Sequence, residues 1–115
     1  MPDNNTPGKT TIAPDVLLSV ARLTTLDVEG VNSLSPLPAG LPTFFNRSTH
    51  LADGVRVKIS KSFVTVDIYV ILENDVNIRQ VSRTIQKNVA RAITEMVGLK
   101  ANQVNIHIED IFIAA

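Results

Sequence analysis

The sequence contains no cysteine and no tryptophan, and aromatic residues make up only 4% of its 115 positions. Without cysteine the chain has no disulfide bond, no thiolate metal ligand and no thiol nucleophile, which fits a reducing compartment. Its 11 basic and 11 acidic side chains give a formal net charge of zero, so the whole molecule has no field that attracts nucleic acid or anionic lipid. Any such partner would have to bind a local patch.

Long hydrophobic runs and clustered glycines are also missing. The polar N-terminus lacks the basic and apolar regions of a secretory signal, and no apolar stretch approaches the roughly 20 residues of a membrane span. We therefore expect a protein that is not secreted and does not cross a bilayer. The five glycines are isolated, so there is no glycine-rich phosphate-binding loop. Hydrophobic residues reach 44%, which predicts one domain over residues 9–115 behind a disordered tail, residues 1–8.

The spacing of apolar residues predicts two helices and four strands. Period-two alternation is typical of half-buried strands, and apolar residues three and four apart are typical of a helix with one buried face. The first predicted elements are a short strand over residues 9–12 and a helix from Pro14 to about Leu26. Strands over residues 55–59 and 64–72 follow, joined by a turn at Lys61 and Ser62. A second helix runs from the Asn77 cap to about Val97 and is ended by Gly98, and a last strand alternates over residues 104–108 and ends near Phe112 and Ile113.

Residues 31–53 show no sustained periodicity and contain three prolines, so we predict a long loop there. Leu41, Phe44 and Phe45 are the side chains that could anchor this loop to the core, and His50 lies in it with no predictable neighbour. A small-ligand or enzymatic protein would have its pocket beneath this proline-rich loop, and that alternative stays open.

These elements predict an α+β fold in which a mostly antiparallel sheet carries both helices on one face, a two-layer sandwich of order β-α-β-β-α-β. The second helix has one apolar face. The first helix has apolar residues over more than the roughly 100° stripe of a one-sided helix, so part of it is expected to face a second partner. Its apolar residues are Val16, Leu17, Leu18, Val20, Leu23 and Leu26.

The strand alternation also predicts a polar face on the sheet. This face is either a recognition surface or an ordinary solvated face. Its residues are Arg56, Lys58, Thr65, Asp67, Tyr69, Asn105, His107 and Glu109. An RNA-binding sheet would need more aromatic residues than Phe63 and Tyr69 supply.

Catalytic and metal chemistry find little support in the sequence. His107 and Glu109 could offer two metal ligands, but two ligands do not make a site. No serine lies in a nucleophile-elbow context, and no third group is placed to orient a histidine. We therefore expect a protein that is not an enzyme, and we assign it no catalytic, cofactor-binding or metal-binding residues.

The most unusual charge pattern lies on the second predicted helix. Four cations, Arg79, Arg83, Lys87 and Arg91, recur every fourth residue and precede Glu95. Like charges at this spacing destabilise a helix by a few tenths of a kcal/mol per pair. The pattern is either a solvated face balanced by carboxylates elsewhere, the more common case, or a site for an anionic partner such as an acidic protein face, lipid headgroups or nucleic acid. We call these four residues the basic stripe. With Tyr69, Asn105 and His107 on the sheet, they form the predicted interaction surface.

Several short motifs occur in a characteristic order along the chain. They are residues 11–16 (TIAPDV), 28–31 (VEGV), 54–57 (GVRV), 76–78 (VNI), 86–89 (QKNV) and 104–110 (VNIHIED). None is specific alone, but by their order and spacing the chain resembles the alkaline-shock-protein family, envelope-stress-response proteins of Gram-positive and related bacteria. Where the family usually has a glycine before the second helix, this chain has Asn74 and Asp75, which a left-handed turn accepts.

The resemblance implies a non-enzymatic cytoplasmic protein without a cofactor. Some members are held at the inner face of the membrane by a separate anchor protein and self-associate, and others are linked to fatty-acid or acetyl-CoA carboxylase metabolism. We therefore expect a homo-oligomeric interaction or scaffold module. The alternative is a regulator that binds nucleic acid or a lipid-metabolism enzyme through the basic stripe. The chain shows no charged tail after its last strand, so we do not expect a role that depends on such a tail.

Overall fold

The computed structural model describes residues 13–36, 49–52, 54–59, 63–98 and 100–113. Along the chain the elements are helix α1 (Pro14–Leu26), strands β1 (Val31–Leu34), β2 (Thr49–Ala52), β3 (Val55–Ile59) and β4 (Phe63–Glu73), helix α2 (Ile78–Val97) and strand β5 (Lys100–Phe112). The predicted α+β class, with both helices on one face of a mostly antiparallel sheet, is confirmed. The predicted tail and the predicted strand over residues 9–12 lie outside the described residues.

Both helices have the predicted bounds because their ends carry the expected signals. Pro14 occupies the first turn of α1, where its missing N–H needs no partner. The Asn77 side chain caps α2 by accepting a hydrogen bond from the Gln80 amide at 3.0 Å, and Gly98 ends it in the left-handed conformation. Asp75 has φ 64° in the turn before α2, so the predicted left-handed residue is present there.

Strand β4 is the centre of the sheet. It pairs in parallel with β5 along its whole length, while β3 and β1 pair with it antiparallel, one after the other along its opposite edge. The predicted hairpin of β3 and β4 is confirmed, although its turn residues lie outside the described residues. Strand β2 extends the sheet beyond β3.

The loop predicted over residues 31–53 is wrong at both ends, where β1 and β2 form. Each of these strands has only four residues, too few for an alternating pattern, and each is formed by pairing with a longer strand. β1 pairs with residues 70–72 of β4, and β2 places His50 opposite Val57 of β3. The anchoring residues Leu41, Phe44 and Phe45 lie outside the described residues.

The core lies between the sheet and the two helices. Alternate residues of β3 and β4, mostly valines, are fully buried on this face, and they pack against one face of α2 and the inner side of α1. The buried residues of α2 are Val81, Ile85, Val89 and Ile93, and those of α1 are Leu17, Leu18, Ala21 and Thr25. Ile78 and Met96 continue the apolar spacing of the buried face of α2, but they lie at the ends of the helix and are exposed. The other face of the sheet carries the polar residues.

Candidate functional site

A buried carboxylate, Asp67, organises the polar face of the sheet. Its Oδ2 accepts hydrogen bonds from Nη2 and Nε of Arg56 at 3.1 and 3.3 Å. Its Oδ1 accepts one from Asn105 Nδ2 at 3.1 Å and lies 3.0 Å from His107 Nε2. Strand register creates this cluster, because β3 places Arg56 opposite Asp67 on one side and β5 places Asn105 opposite it on the other.

These neighbours keep Asp67 ionised. Burial alone would raise the pKa of Asp67, but hydrogen bonds from His107, Asn105 and Arg56, with the Arg56 charge, hold it below its ordinary value of 3.8. Because the ionised carboxylate only accepts hydrogen bonds, the His107 Nε2 must carry a hydrogen. Asp67 thus fixes the orientation of the imidazole ring.

Tyr69 stacks on the same histidine. The two ring centroids are 4.4 Å apart and the ring planes differ by 13°, a near-parallel stack across the β4 and β5 pair. Tyr69 is 4% exposed. Burial raises the pKa of its phenol above 10.0; Arg56 opposes this shift, and the Asp67 and Glu109 charges add to it. Among the predicted interaction residues, the structure therefore brings Tyr69, Asn105 and His107 together.

The Asp67 carboxylate is fully engaged by its neighbours. It binds four donor groups and accounts for the polar contacts of Arg56 and His107 among the described residues. A histidine held by an aspartate also occurs in catalytic triads, but among the described residues no hydroxyl group hydrogen-bonds to His107 as a nucleophile would. Three metal-ligating side chains do not converge anywhere in the described part of the chain. The arrangement pins three strands together and offers a shaped polar surface.

Described residues line two open depressions beside the sheet. One, of about 340 Å³, lies on the polar face and is lined by Arg56, Lys58, Thr65, Asp67 and Asn105. The other, of about 500 Å³, lies where α1 ends and α2 begins. Its lining combines apolar residues with carboxylates, among them Val28, Val76, Glu29 and Glu73. Glu73 accepts a hydrogen bond from Asn32 there. The predicted pocket beneath the proline-rich loop falls on residues outside the described ranges.

The basic stripe lies on the other side of the molecule, along the outer side of α2. All four of its cations are exposed, and no carboxylate of the described residues lies within salt-bridge distance of them. Each cation stands two positions before a buried residue, roughly 200° around the helix. The buried face and the stripe both repeat every four residues, so they wind around α2 together on opposite sides. The stripe is thus separated from the Asp67 cluster by the sheet and the core.

Helix α1 exposes apolar side chains beside this stripe. Leu23 is 58% exposed, and Val16 and Leu26 are 41% and 39% exposed. The predicted excess of apolar surface on α1 is confirmed, and its partner remains a prediction. No helix within the described ranges is long and apolar enough to span a membrane.

Sequence reasoning placed Asp67 and Arg56 on the polar face but did not single them out. The missed signal was a lone acid inside an apolar alternation, two residues before Tyr69, with a lone arginine at the matching position of the neighbouring strand. Gln86 was missed as well. Its side chain donates a 3.0 Å hydrogen bond to the Val104 carbonyl of β5, a contact that only the packing of α2 over β5 reveals.

Fold and surfaces together define a two-layer α+β domain with a polar network, a basic helix and a long strand that pairs with one neighbour within the described ranges. The chain belongs to the alkaline shock protein 23 family, which is described as having a cell envelope-related function and whose sequence model matches residues 2–113. This confirms the predicted family. We therefore assign the chain a cell envelope-related function.

The relatives it matches include bacterial proteins described as uncharacterised. It is 37% identical over 105 residues to Spy1535 of Streptococcus pyogenes, an alignment covering 90% of this chain and 79% of the relative. It is 30% identical over 102 residues to YqhY of Bacillus subtilis, covering 88% and 75%. YloU of the same species is 25% identical over 107 residues, covering 90% and 88%. No solved structure matches the chain.

Proposed function

We propose that this chain is a non-enzymatic scaffold module of the cell envelope that pairs with a second copy of itself through the outer edge of β5. It acts on the cytoplasmic side, peripheral to the membrane and together with partner proteins such as a membrane anchor. The observation that carries this proposal is the edge itself. Strand β5 has 13 residues, and within the described chain only β4 pairs with it.

The edge has unused hydrogen-bonding groups. A strand residue directs its N–H and C=O to the same side, and this side alternates along the strand. The Val104 carbonyl, which accepts from Gln86, therefore marks the outer side, and Ile106 and Ile108 present their N–H and C=O groups in the same direction. Further along, the Asp110 side chain accepts from the Ile111 N–H at 2.8 Å. Side chains thus cover both ends of the edge, and among the described residues none covers its middle.

A second copy of the chain would supply hydrogen-bond partners for the outward N–H and C=O groups in the middle of this edge. Long strand edges without a partner are templates for pairing, and two identical edges pair antiparallel about a two-fold axis. The regular part of β5 lies between two register shifts, over residues 103–108, which gives a flat stretch suited to pairing. Phe112 and Ile113, 46% and 72% exposed, add apolar surface at the end of the strand.

The test removes the outward N–H of Ile108. The Ile108→Pro variant loses that donor but no hydrogen bond to β4, whereas Ile108→Val keeps it and serves as the control. We expect light scattering to show a dimer or larger species for the unmodified chain and for Ile108→Val, and a monomer for Ile108→Pro. Amide hydrogen exchange on the unmodified chain is the second measurement. Protection at Ile106 and Ile108 that does not rise with protein concentration would contradict the proposal.

The exposed basic stripe supports a second candidate function, a regulator that binds an anionic macromolecule, either nucleic acid or a lipid-metabolism enzyme. Gel shifts at two salt concentrations test the nucleic-acid form, since phosphate contacts make affinity fall steeply with salt. Retention of the chain on an immobilised lipid-metabolism enzyme, lost in Arg83→Gln/Lys87→Gln, tests the other form.

A further inference from the structure

The exposed sides of the two helices form one continuous surface. Both helices lie on the same face of the sheet and pack against each other, so their outward sides point in the same direction. On α2 this surface carries the basic stripe and Glu95. On α1 it carries Arg22 and Asp15. Within the two helices there are thus five cations and two acids, with the cations concentrated on α2. The exposed acids Asp27, Glu29 and Asp75 lie beyond the helix ends, in a chain whose formal net charge is zero.

The same surface carries exposed apolar side chains. Leu23 stands two positions after the fully buried Ala21, roughly 200° around α1, and therefore points directly away from the core. Val16 and Leu26 flank it on the exposed side of the helix. A row of cations thus lies beside a row of aliphatic side chains on adjacent helices.

We propose that the outer surface of the helical layer binds directly to a bilayer rich in anionic lipid. The basic stripe contacts the phosphate headgroups, and Val16, Leu23 and Leu26 enter the interfacial region beside them. The apolar face of α2 stays in the core, so the protein lies on the membrane and keeps its fold. This surface lies on a different part of the molecule from the β5 edge, and the inference is independent of self-association.

Two observations favour a bilayer over other anionic partners. Nucleic acid would use the cations but leave the exposed aliphatic side chains of α1 unexplained. An acidic protein would need an apolar anchor among the cations, where a stable interface has its desolvated centre. The exposed residues between the stripe cations are polar, such as Gln80 and Gln86. A flat anionic surface fits both features, since interfacial binding combines electrostatic attraction with apolar burial.

The experiment is co-sedimentation with vesicles of phosphatidylglycerol and phosphatidylcholine in equal parts, against pure phosphatidylcholine vesicles. We expect binding to the mixed vesicles only, weakened by salt. The Arg83→Gln/Lys87→Gln variant should lower the binding constant on the order of tenfold, because each cation near an anionic surface contributes severalfold. This variant relieves like-charge repulsion, so it should be at least as stable as the unmodified chain.

Matched controls come from the opposite face of the sheet. Lys87→Gln should weaken vesicle binding, while Lys58→Gln, the same charge change on the polar face, should not. Leu23→Ser should weaken it too, while Leu51→Ser, at a 42% exposed leucine on the polar face, should not. Equal losses for the paired variants, unaltered binding in the double variant, or a stripe that binds duplex DNA but not mixed vesicles would overturn the proposal. Light scattering of the same variants keeps this outcome separate from self-association, since none alters the β5 edge.

Discussion

At the scale of single residues, Asp67 is the group on which the polar face depends most. We expect Asp67→Asn to lower the free energy of unfolding by about 2 kcal/mol, because an amide cannot accept from Arg56, Asn105 and His107 as the carboxylate does. Urea denaturation at neutral pH measures the loss. Glu109→Gln, an exposed acid on β5, is the control and should change stability little.

The pH dependence of stability follows from the same residue. The pKa of Asp67 is lower in the folded state than its ordinary value of 3.8, so the unfolded chain binds the proton more readily. Its contribution to stability is therefore present above pH 3.8 and is lost as the pH falls through the folded pKa. The Asp67→Asn variant should show a shallower loss of stability in acid, and equal acid slopes for the two proteins would contradict this account.

Tyr69 should give stability the opposite pH dependence, with a loss at high pH. Its pKa is raised by burial, so its contribution to stability is present below pH 10.0 and is lost as the pH rises through the folded pKa. It is the only tyrosine, and the chain has no tryptophan, so phenolate absorbance reports this residue alone. We expect the titration midpoint to lie higher in the folded protein than in denaturant. Identical midpoints would show that Tyr69 is as solvated as in the unfolded chain.

Residues on the polar face could be predicted as a set but not as a network. Alternation along β4 and β5 assigns Asp67 and His107 to one face, because side chains alternate between faces whatever the neighbouring strand. Which residues meet depends on strand register, and two register shifts between β4 and β5 cannot be read from either strand alone. The stripe on α2 was predictable in full, since helix periodicity is a local property.

At the scale of elements, Gly54 holds β1 and β3 together at the edge of β4. Its carbonyl accepts from the Tyr69 N–H, and the Tyr69 carbonyl accepts from the Ser35 N–H, so the ends of both short pairings meet at one residue of β4. Gly54 has φ +73°, and a Cβ there would lie 2.6 Å from Leu34 Cβ and 2.9 Å from the Ser35 carbonyl oxygen. No side chain fits at this junction.

We therefore expect Gly54→Ala to destabilise the protein by about 3 kcal/mol, combining backbone strain with a steric clash. The control is Gly98→Ala, which has nearly the same φ, +75°, but no atom within 4 Å of the added Cβ. That variant should cost about 1 kcal/mol, the strain alone. Thermal unfolding of both variants separates the cost of backbone strain from the cost of the steric clash. Equal losses of stability in the two variants would show that the contacts at Gly54 relax freely.

The helices and the β3 and β4 hairpin were predictable because their signals are local and repeated over many residues. Asn77 and Gly98 mark the ends of α2 by themselves. β1 and β2 carry no comparable signal, since a strand of four residues contains only two repeats of the alternation between apolar and polar side chains. They become strands by filling the free edges of β4 and β3, and this tertiary pairing overrides a sequence typical of a loop.

At the scale of the whole molecule, edge pairing and membrane binding are geometrically compatible. In an antiparallel pair, residues opposite each other project to the same face of the sheet. Two copies joined through β5 therefore share one sheet whose helices all lie on one side. Both basic stripes then face the same plane. A paired particle can therefore present both stripes to one membrane surface.

This geometry predicts that pairing strengthens vesicle binding. A particle with two stripes on one plane gains from multivalency, because its second contact forms at high effective concentration. We expect Ile108→Pro to bind mixed phosphatidylglycerol and phosphatidylcholine vesicles on the order of tenfold more weakly than the unmodified chain, with Ile108→Val unchanged. Arg83→Gln/Lys87→Gln should bind vesicles more weakly while still pairing. If the monomeric variant binds vesicles as tightly as the paired chain, the two stripes do not face one plane, and the two-fold arrangement through β5 is wrong.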